Sequence, residues 1–242
     1  MQSLVNETYE PILVKLSGEA LGGGASGIDQ KALEFLGAEL LSARDYQPQI
    51  AIVVGGGNFY RGQESEPDKI NRIQADYVGM LATVMNGVIL QQWIQAHGLE
   101  ATVLSAIPIG VIAEQYSPEI ARQYLKAGSV VILSGGTGSP FFTTDTAASL
   151  RALEIGAKTI IKGTRVNGIF DKDPERFPKA KMFRVLDFDT AIGKRLKVMD
   201  ATAFSLCRDN HLAIRVINIM EAGNLRKAVI GEEVGTLVTD RG

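Results

Sequence analysis

Short apolar runs rich in β-branched residues recur along the chain at 12–16, 50–54, 101–104, 130–133, 159–161 and 214–217. They lack the alternation of apolar and polar positions that marks a half-exposed strand, so they predict strands covered on both faces. Helical patterns separate them, at 29–44, about 68–97, 117–127, 144–155 and 201–209. Strand alternating with helix gives an α/β fold with a largely parallel sheet and helices on both sides. Ser117 followed by Pro118 reads as a serine cap with proline at the first helical position, and Asp29 is a second capping residue. No linker, repeat or low-complexity tract divides the chain, which predicts one domain over residues 1–242. The longest helical pattern carries apolar residues at Ile70, Ile73, Tyr77, Met80, Leu81, Val84, Val88, Leu90, Trp93 and Ile94, on more than one face. Two readings fit it, a central core helix and a helix that also serves as a subunit interface. Asn167-Gly168 predicts a tight hairpin turn, and the charged, proline-containing stretch 171–181 predicts an exposed loop.

Charge narrows the function classes. Twenty-five Lys plus Arg against 27 Asp plus Glu leave no basic field for a nucleic-acid backbone. Cys207 is the only cysteine, so an intrachain disulfide and a thiolate metal cluster are both excluded, and a cytoplasmic location is expected. No run approaches the ~18 consecutive apolar residues of a membrane span, so no membrane partner is expected. With His97 and His211 as the only histidines, a Ser-His-Asp hydrolase and a histidine metal site are poor readings. Glycine is the informative excess, at 26 of 242 residues, because much of it is clustered.

Three of the apolar runs lead straight into glycine: 12–16 into Ser17-Gly18 and Gly22-Gly23-Gly24, 50–54 into Gly55-Gly56-Gly57, and 130–133 into Ser134-Gly135-Gly136-Thr137-Gly138. Ligands bind beyond the carboxyl ends of parallel strands, and glycine there lets backbone N–H groups approach phosphates. The common phosphate motifs are absent. Gly193-Lys194 is followed by Arg195, which breaks a P-loop, and Tyr60 stands where a dinucleotide fingerprint needs its last glycine. What remains is Lys15, Arg61, Asp145 and Lys162, each at or just beyond a strand end. A lysine there needs an anion, from a structural ion pair or from a ligand, and Asp145 with Thr144 can also serve as a helix cap. Phosphoryl transfer uses such an inventory, because its loose transition state spreads negative charge that the protein must position and neutralise.

Lys15-Leu16-Ser17-Gly18-Glu19-Ala20, Gly55-Gly56-Gly57-Asn58 with Arg61-Gly62, the segment 79–87, and Thr137-Gly138 with Pro140-Phe141-Phe142-Thr143-Thr144-Asp145 resemble the bacterial uridylate kinases of the amino acid kinase superfamily. The likeness runs from about Ile12 to Val238. It implies a three-layer αβα sandwich, assembly as a homohexamer, and transfer of the ATP γ-phosphate to UMP with Mg²⁺ in pyrimidine biosynthesis. It implies that Lys15, Leu16, Ser17, Gly18, Gly57 and Arg61 hold the donor phosphates, with Thr164, Phe170 and Asp173 bordering the adenine nucleotide. Gly56, Asp76, Thr137, Gly138, Ser139, Pro140, Phe141, Phe142, Thr143 and Thr144 would hold UMP, with Asp76 accepting from ribose hydroxyls. Lys15, Arg61, Asp145 and Lys162 form the implied catalytic set, Asp145 organising the lysines. The resemblance implies no protein-borne metal cage, and UTP as an inhibitor.

Departures accompany the likeness. Ser139 replaces an asparagine common in the Thr-Gly-x-Pro segment, and the 21–28 loop is one residue short against some relatives. Positions that bind an activating GTP in some members carry Gln91, Gln95, Thr102 and Ser129 here. Two further readings keep the fold: a nucleotide-binding storage or sensor protein, and a kinase with a carboxylate or carbamate acceptor. Phe141-Phe142 and Asp76 favour a nucleoside over a small acid.

Overall fold

The computed structural model describes residues 10–23, 26–60, 71–196 and 199–240. Its strands are β1 (Ile12–Leu16), β2 (Ile50–Val54), β3 (Ala101–Ser105), β4 (Glu114–Gln115), β5 (Val130–Ser134), β6 (Thr159–Thr164), β7 (Ile169–Phe170), β8 (Met182–Phe183), β9 (Val185–Asp187), β10 (Ala213–Asn218) and β11 (Thr236–Thr239). Its helices are α1 (Gly18–Leu21), α2 (Gln30–Arg44), α3 (Arg72–Ala96), α4 (Pro118–Lys126), α5 (Thr144–Ile155), α6 (Phe188–Gly193), α7 (Ala201–Asp209) and α8 (Asn224–Val229).

Nine strands form one sheet in the order β4-β3-β5-β2-β1-β6-β10-β11-β9, parallel at every pairing except β10 with β11. The absence of alternation in the apolar runs has a direct cause. Along β2, Ala51 and Val53 face one core while Ile50, Ile52 and Val54 face the other. In β5, Val131 and Leu133 are divided from Val130 and Ile132 in the same way. Leu125 of α4, Ala148 and Ala152 of α5, Phe188 of α6 and Phe204 of α7 close the first core. Leu36 and Leu40 of α2, Leu90 and Ile94 of α3 and Leu225 of α8 close the second. Each fully buried large side chain contributes about 1.5–3 kcal/mol, so both layers hold the sheet strongly. The result is the expected three-layer αβα sandwich.

Helix starts follow the capping residues. Asp29 accepts from Ala32 N at 2.8 Å, and Ser117 accepts from Ile120 N at 3.2 Å ahead of Pro118. Asn71 caps α3 by accepting from Gln74 N, so that helix begins at Arg72; the expected start at 68 lies outside the described residues. By length and composition α3 could cross a membrane, but Leu90 and Ile94 bury one side of it against the sheet.

The hairpin expected at Asn167-Gly168 is not formed. β6 pairs with β1 and β10, and β7 pairs antiparallel with β8 across 171–181, a far longer connection. Both edges of β6 are already paired in the central sheet, so the chain after Thr164 has no free edge to fold back on.

Candidate active site

Lys15 of β1 and Lys162 of β6 are register partners on adjacent parallel strands, so their side chains leave the sheet on one face. Asp145, in the first turn of α5, reaches both. Its Oδ1 lies 2.8 Å from Lys15 Nζ and its Oδ2 lies 2.6 Å from Lys162 Nζ. All three side chains are between 10% and 14% exposed, so one carboxylate faces two ammonium groups in a poorly solvated place. Within these three side chains two ammonium groups face one carboxylate, and the negative charge of Asp200 also bears on Lys162.

Burial alone would raise the Asp145 carboxyl, but the charges of Lys15 and Lys162 outweigh it and hold the group below its ordinary value. For Lys162 burial is the largest influence and lowers it; Lys15 pushes the same way and Asp145 opposes. Asp145 Oδ1 makes an ion pair with Lys15 yet has no aligned hydrogen bond. Asp145 is not the cap of α5, as the sequence allowed. Thr143 is, its hydroxyl accepting from Asp145 N at 3.1 Å and Thr146 N at 3.3 Å, which leaves the Asp145 carboxylate for the lysines.

The first two glycine turns pack on each other. A Cβ on Gly18 would lie 2.6 Å from Gly57 N and 2.8 Å from Gly55 O, so no side chain fits where these backbones meet. Ser17 caps α1 through Ala20 N, and Leu16 turns its side chain into the core while its carbonyl accepts from Gly55 N. Beneath them Asn58 and Asn86 exchange amide hydrogen bonds at 3.0 and 2.7 Å, and Asn86 also donates to Gly55 O. This buried pair ties the second turn to α3. Arg61 lies outside the described residues.

One cleft, on the side of α3, is lined by Gly56, Gly57, Asp76, Gly136, Thr137, Phe142, Thr143 and Thr144, with Tyr60 and Met80. Asp76 accepts from Arg72 Nε at 2.8 Å and from Phe141 N at 2.8 Å, two partners that sequence reading did not foresee. Phe141 and Phe142 are 64% and 47% exposed, so their rings are open to a ligand. Within the turn, Thr137 Oγ1 donates to Ser139 O and accepts from Ser139 N, while Gly138 packs on Ala106. Pro140 is half-buried beside them.

A second cleft, of about 460 Å³, lies beyond β6. Thr164, Phe170 and Asp173 line it together with Val166, Gly168 and Ile169. Lys194 and Arg195 complete the wall. In the sequence these two read only as a broken P-loop, and the path of the chain after α6 carries them to the cleft. Asp200 was also missed. It caps α7, and its carboxylate takes the hydroxyls of Thr143 at 2.5 Å and Thr146 at 3.0 Å, fastening the start of α5. Its position one residue before a helical pattern was a legible capping signal; its partners were not.

Residues 10–218 match the amino acid kinase family. The chain is 44% identical over 239 residues to the uridylate kinase of Psychromonas ingrahamii, covering 98% of this chain and 96% of that protein. Its fold is similar to the UMP kinase of Bacillus anthracis, with a TM-score of 0.93 at 36% identity over 98% of each chain. The UMP kinase of Ureaplasma parvum gives a TM-score of 0.89 at 30% identity, over 96% of this chain and all of that one.

Proposed function

This chain belongs to the amino acid kinase family, and from that premise we propose that it is a uridylate kinase, transferring the γ-phosphate of ATP to UMP to give UDP and ADP. The observation that carries the reading is the Lys15–Asp145–Lys162 cluster and its position. Thr144, next to Asp145, lines one cleft, and Thr164, two residues beyond Lys162 on the same strand, lines the other. A phosphoryl group passing between two bound nucleotides would cross the two ammonium groups.

In this reading Lys15, Leu16, Ser17, Gly18, Gly57 and Arg61 hold the donor phosphates, and Thr164, Phe170 and Asp173 border the adenosine. Gly56, Asp76, Thr137, Gly138, Ser139, Pro140, Phe141, Phe142, Thr143 and Thr144 hold UMP. Lys15 and Lys162 neutralise charge on the transferred group, where it spreads over three oxygens. Asp145 keeps both ammonium groups aimed and limits their mutual repulsion; no base is needed, since a phosphate acceptor is already an anion. Both oxygens of Asp145 are already ion-paired, with Lys15 and Lys162, so Asp145 would reach a magnesium ion only through water, and among the described residues no three acidic, histidine or cysteine side chains cluster. The ion would arrive with ATP, held mainly by phosphates and water, and would offset phosphate charge.

We further propose a homohexamer. Ile73, Tyr77, Leu81 and Met85 are 39–49% exposed on one side of α3, an apolar stripe that a second subunit would cover. UTP is proposed as an inhibitor through the uracil and ribose contacts of the UMP cleft. The continuous sheet supports one domain, and a single buried cysteine suits a cytoplasmic protein in pyrimidine biosynthesis, acting without nucleic acid or membrane. A coupled assay with ATP, Mg²⁺ and a panel of UMP, CMP, glutamate and carbamate tests the reading. UMP-dependent ADP release is expected; turnover of glutamate or carbamate alone, or nucleotide binding without turnover, overturns it.

A further inference from the structure

Arg151 is a buried cation for which the reaction above has no use. Its side chain is 8% exposed, and its guanidinium is held on every side. Nη1 donates to Glu154 Oε2 at 2.6 Å, and the Tyr116 ring lies 4.1 Å beneath the planar group. Glu154 Oε2 is itself fixed by the Tyr116 hydroxyl at 2.6 Å, and Arg122 Nη1 binds the Glu154 carbonyl at 2.5 Å. The remaining edge of the fork faces backbone: Nη2 donates to Gly136 O at 3.3 Å and to Thr137 O at 3.4 Å.

Those two carbonyls belong to a glycine turn whose own hydrogen bonds fix other groups, Gly135 N on Thr83, Gly138 N on Gly135 O and Thr137 Oγ1 on Ser139. Gly135, Gly136 and Gly138 have φ of 77°, 61° and 82°, conformations that glycine adopts freely and leaves as freely. In a trans peptide the N–H points opposite to the C=O, so holding the Gly136 carbonyl on Arg151 turns the Thr137 N–H away from α5. Gly136 and Thr137 also line the cleft shared with Asp76 and Phe142. An ion pair this buried contributes little net stability. Its geometric effect is larger: the planar guanidinium holds Glu154 with Nη1 and spans both peptide carbonyls with Nη2, at 3.3 and 3.4 Å, which ties the two peptides to α5.

We propose that Arg151 is a positioning residue for the acceptor nucleotide: it holds the Gly136–Thr137 peptides in the shape that receives UMP, with Tyr116 and Glu154 holding Arg151. The inference rests on the reading of UMP as acceptor. The test measures UMP binding by calorimetry without ATP, and KM for UMP and ATP in the coupled assay, for the unaltered chain, Arg151→Lys, Arg151→Met and Tyr116→Phe. Arg151→Met is expected to weaken UMP by about tenfold or more with KM for ATP within about twofold. Arg151→Lys, which keeps the charge near Glu154 but loses the fork, should fall between, and Tyr116→Phe should show a smaller loss of the same kind. UMP affinity unchanged within about twofold in Arg151→Lys and Tyr116→Phe overturns the inference, as does an equal rise in both KM values. Those two variants decide it if Arg151→Met does not fold. An unaltered chain that neither binds nor phosphorylates UMP sinks the functional reading itself, a result distinct from normal UMP use by Arg151→Lys.

Discussion

Asp76 accepts the backbone N–H of Phe141 at 2.8 Å, joining α3 to a residue 65 positions further along the chain. Phe141 has φ of 72°, a left-handed conformation that a residue with a bulky side chain adopts only when held there, at a cost of about 1–3 kcal/mol. Arg72 binds the same carboxylate and lies 5.8 Å over the Phe141 ring. On the proposed acceptor side Asp76 would therefore combine two roles, a carboxylate for ribose hydroxyls and the anchor of the aromatic wall that its bond to Phe141 makes it. Asp76→Asn keeps an oxygen for Phe141 but loses the charge, so KM for UMP should rise by about three- to tenfold with little change for ATP. Steady-state kinetics with each substrate varied in turn checks this; a rise confined to ATP would move Asp76 to the other site.

Lys15→Met and Lys162→Met should each lower kcat by about a hundredfold or more while weakening UMP binding far less, since the charge is needed most where negative charge moves. Lys15→Arg should not restore activity, because a planar guanidinium cannot occupy the place of a compact ammonium between Asp145 and the first glycine turn. Near-normal turnover in Lys15→Met would remove that residue from the chemistry.

The lowered Lys162 ammonium bears on alkaline pH. In the proposed reaction Lys162 acts as an ammonium, so the alkaline limb of kcat/KM should fall below the ordinary lysine value of 10.5. Asp145 raises Lys162 against the effect of burial, so Asp145→Asn should move that limb to lower pH. On the acid side the sign is opposite. A carboxyl lowered by folding stabilises the native state above its unfolded value, and that contribution disappears only as pH falls through the lowered folded value. Asp145→Asn should therefore be less stable than the unaltered protein at neutral pH, with the gap closing in strong acid. Thermal melts across pH test this, and a gap that widens on acidification contradicts it.

GTP should activate weakly or not at all. Gln91 and Gln95 both donate to Ala101 O, at 3.0 and 2.9 Å, and Thr102 and Ser129 lie 3.4 Å apart, hydroxyl to hydroxyl. These groups already have partners within the chain, and none carries the positive charge that three phosphates require. Titration of GTP at fixed ATP and UMP should leave the rate nearly unchanged, while UTP lowers it. Several-fold activation at submillimolar GTP would show that other cations build a site there.

Much of this was legible in the sequence, for physical reasons that differ by element. The runs that became β1 and β2 were found at their observed limits because a strand between two cores has few polar positions, and α5 because Thr143 caps its start and Gly156 its end. The strands β4, β7, β8 and β9 were not seen, since two or three residues carry no period. Asn167-Gly168 misled because turn chemistry is local, whereas the edge a strand pairs with is decided by the whole sheet. At the site, Lys15 and Lys162 were legible as cations at strand ends. Their adjacency was not, nor was the reach of Asp200 to Thr143 and Thr146, because both come from packing between distant elements.

The β1–β6 pairing has a kinetic consequence. The strand bearing Lys162 enters the sheet beside the first strand only after the helices and strands between them have been synthesised, so the two lysines meet through one of the longest loop closures in the molecule. Such closures are slow, as their entropy must be lost before the contact forms. A nascent chain ending before Thr159 would hold the first glycine turns and Asp145 yet lack the second ammonium group. During refolding, return of turnover should lag the return of helical signal, and the lag times the docking of β6 beside β1.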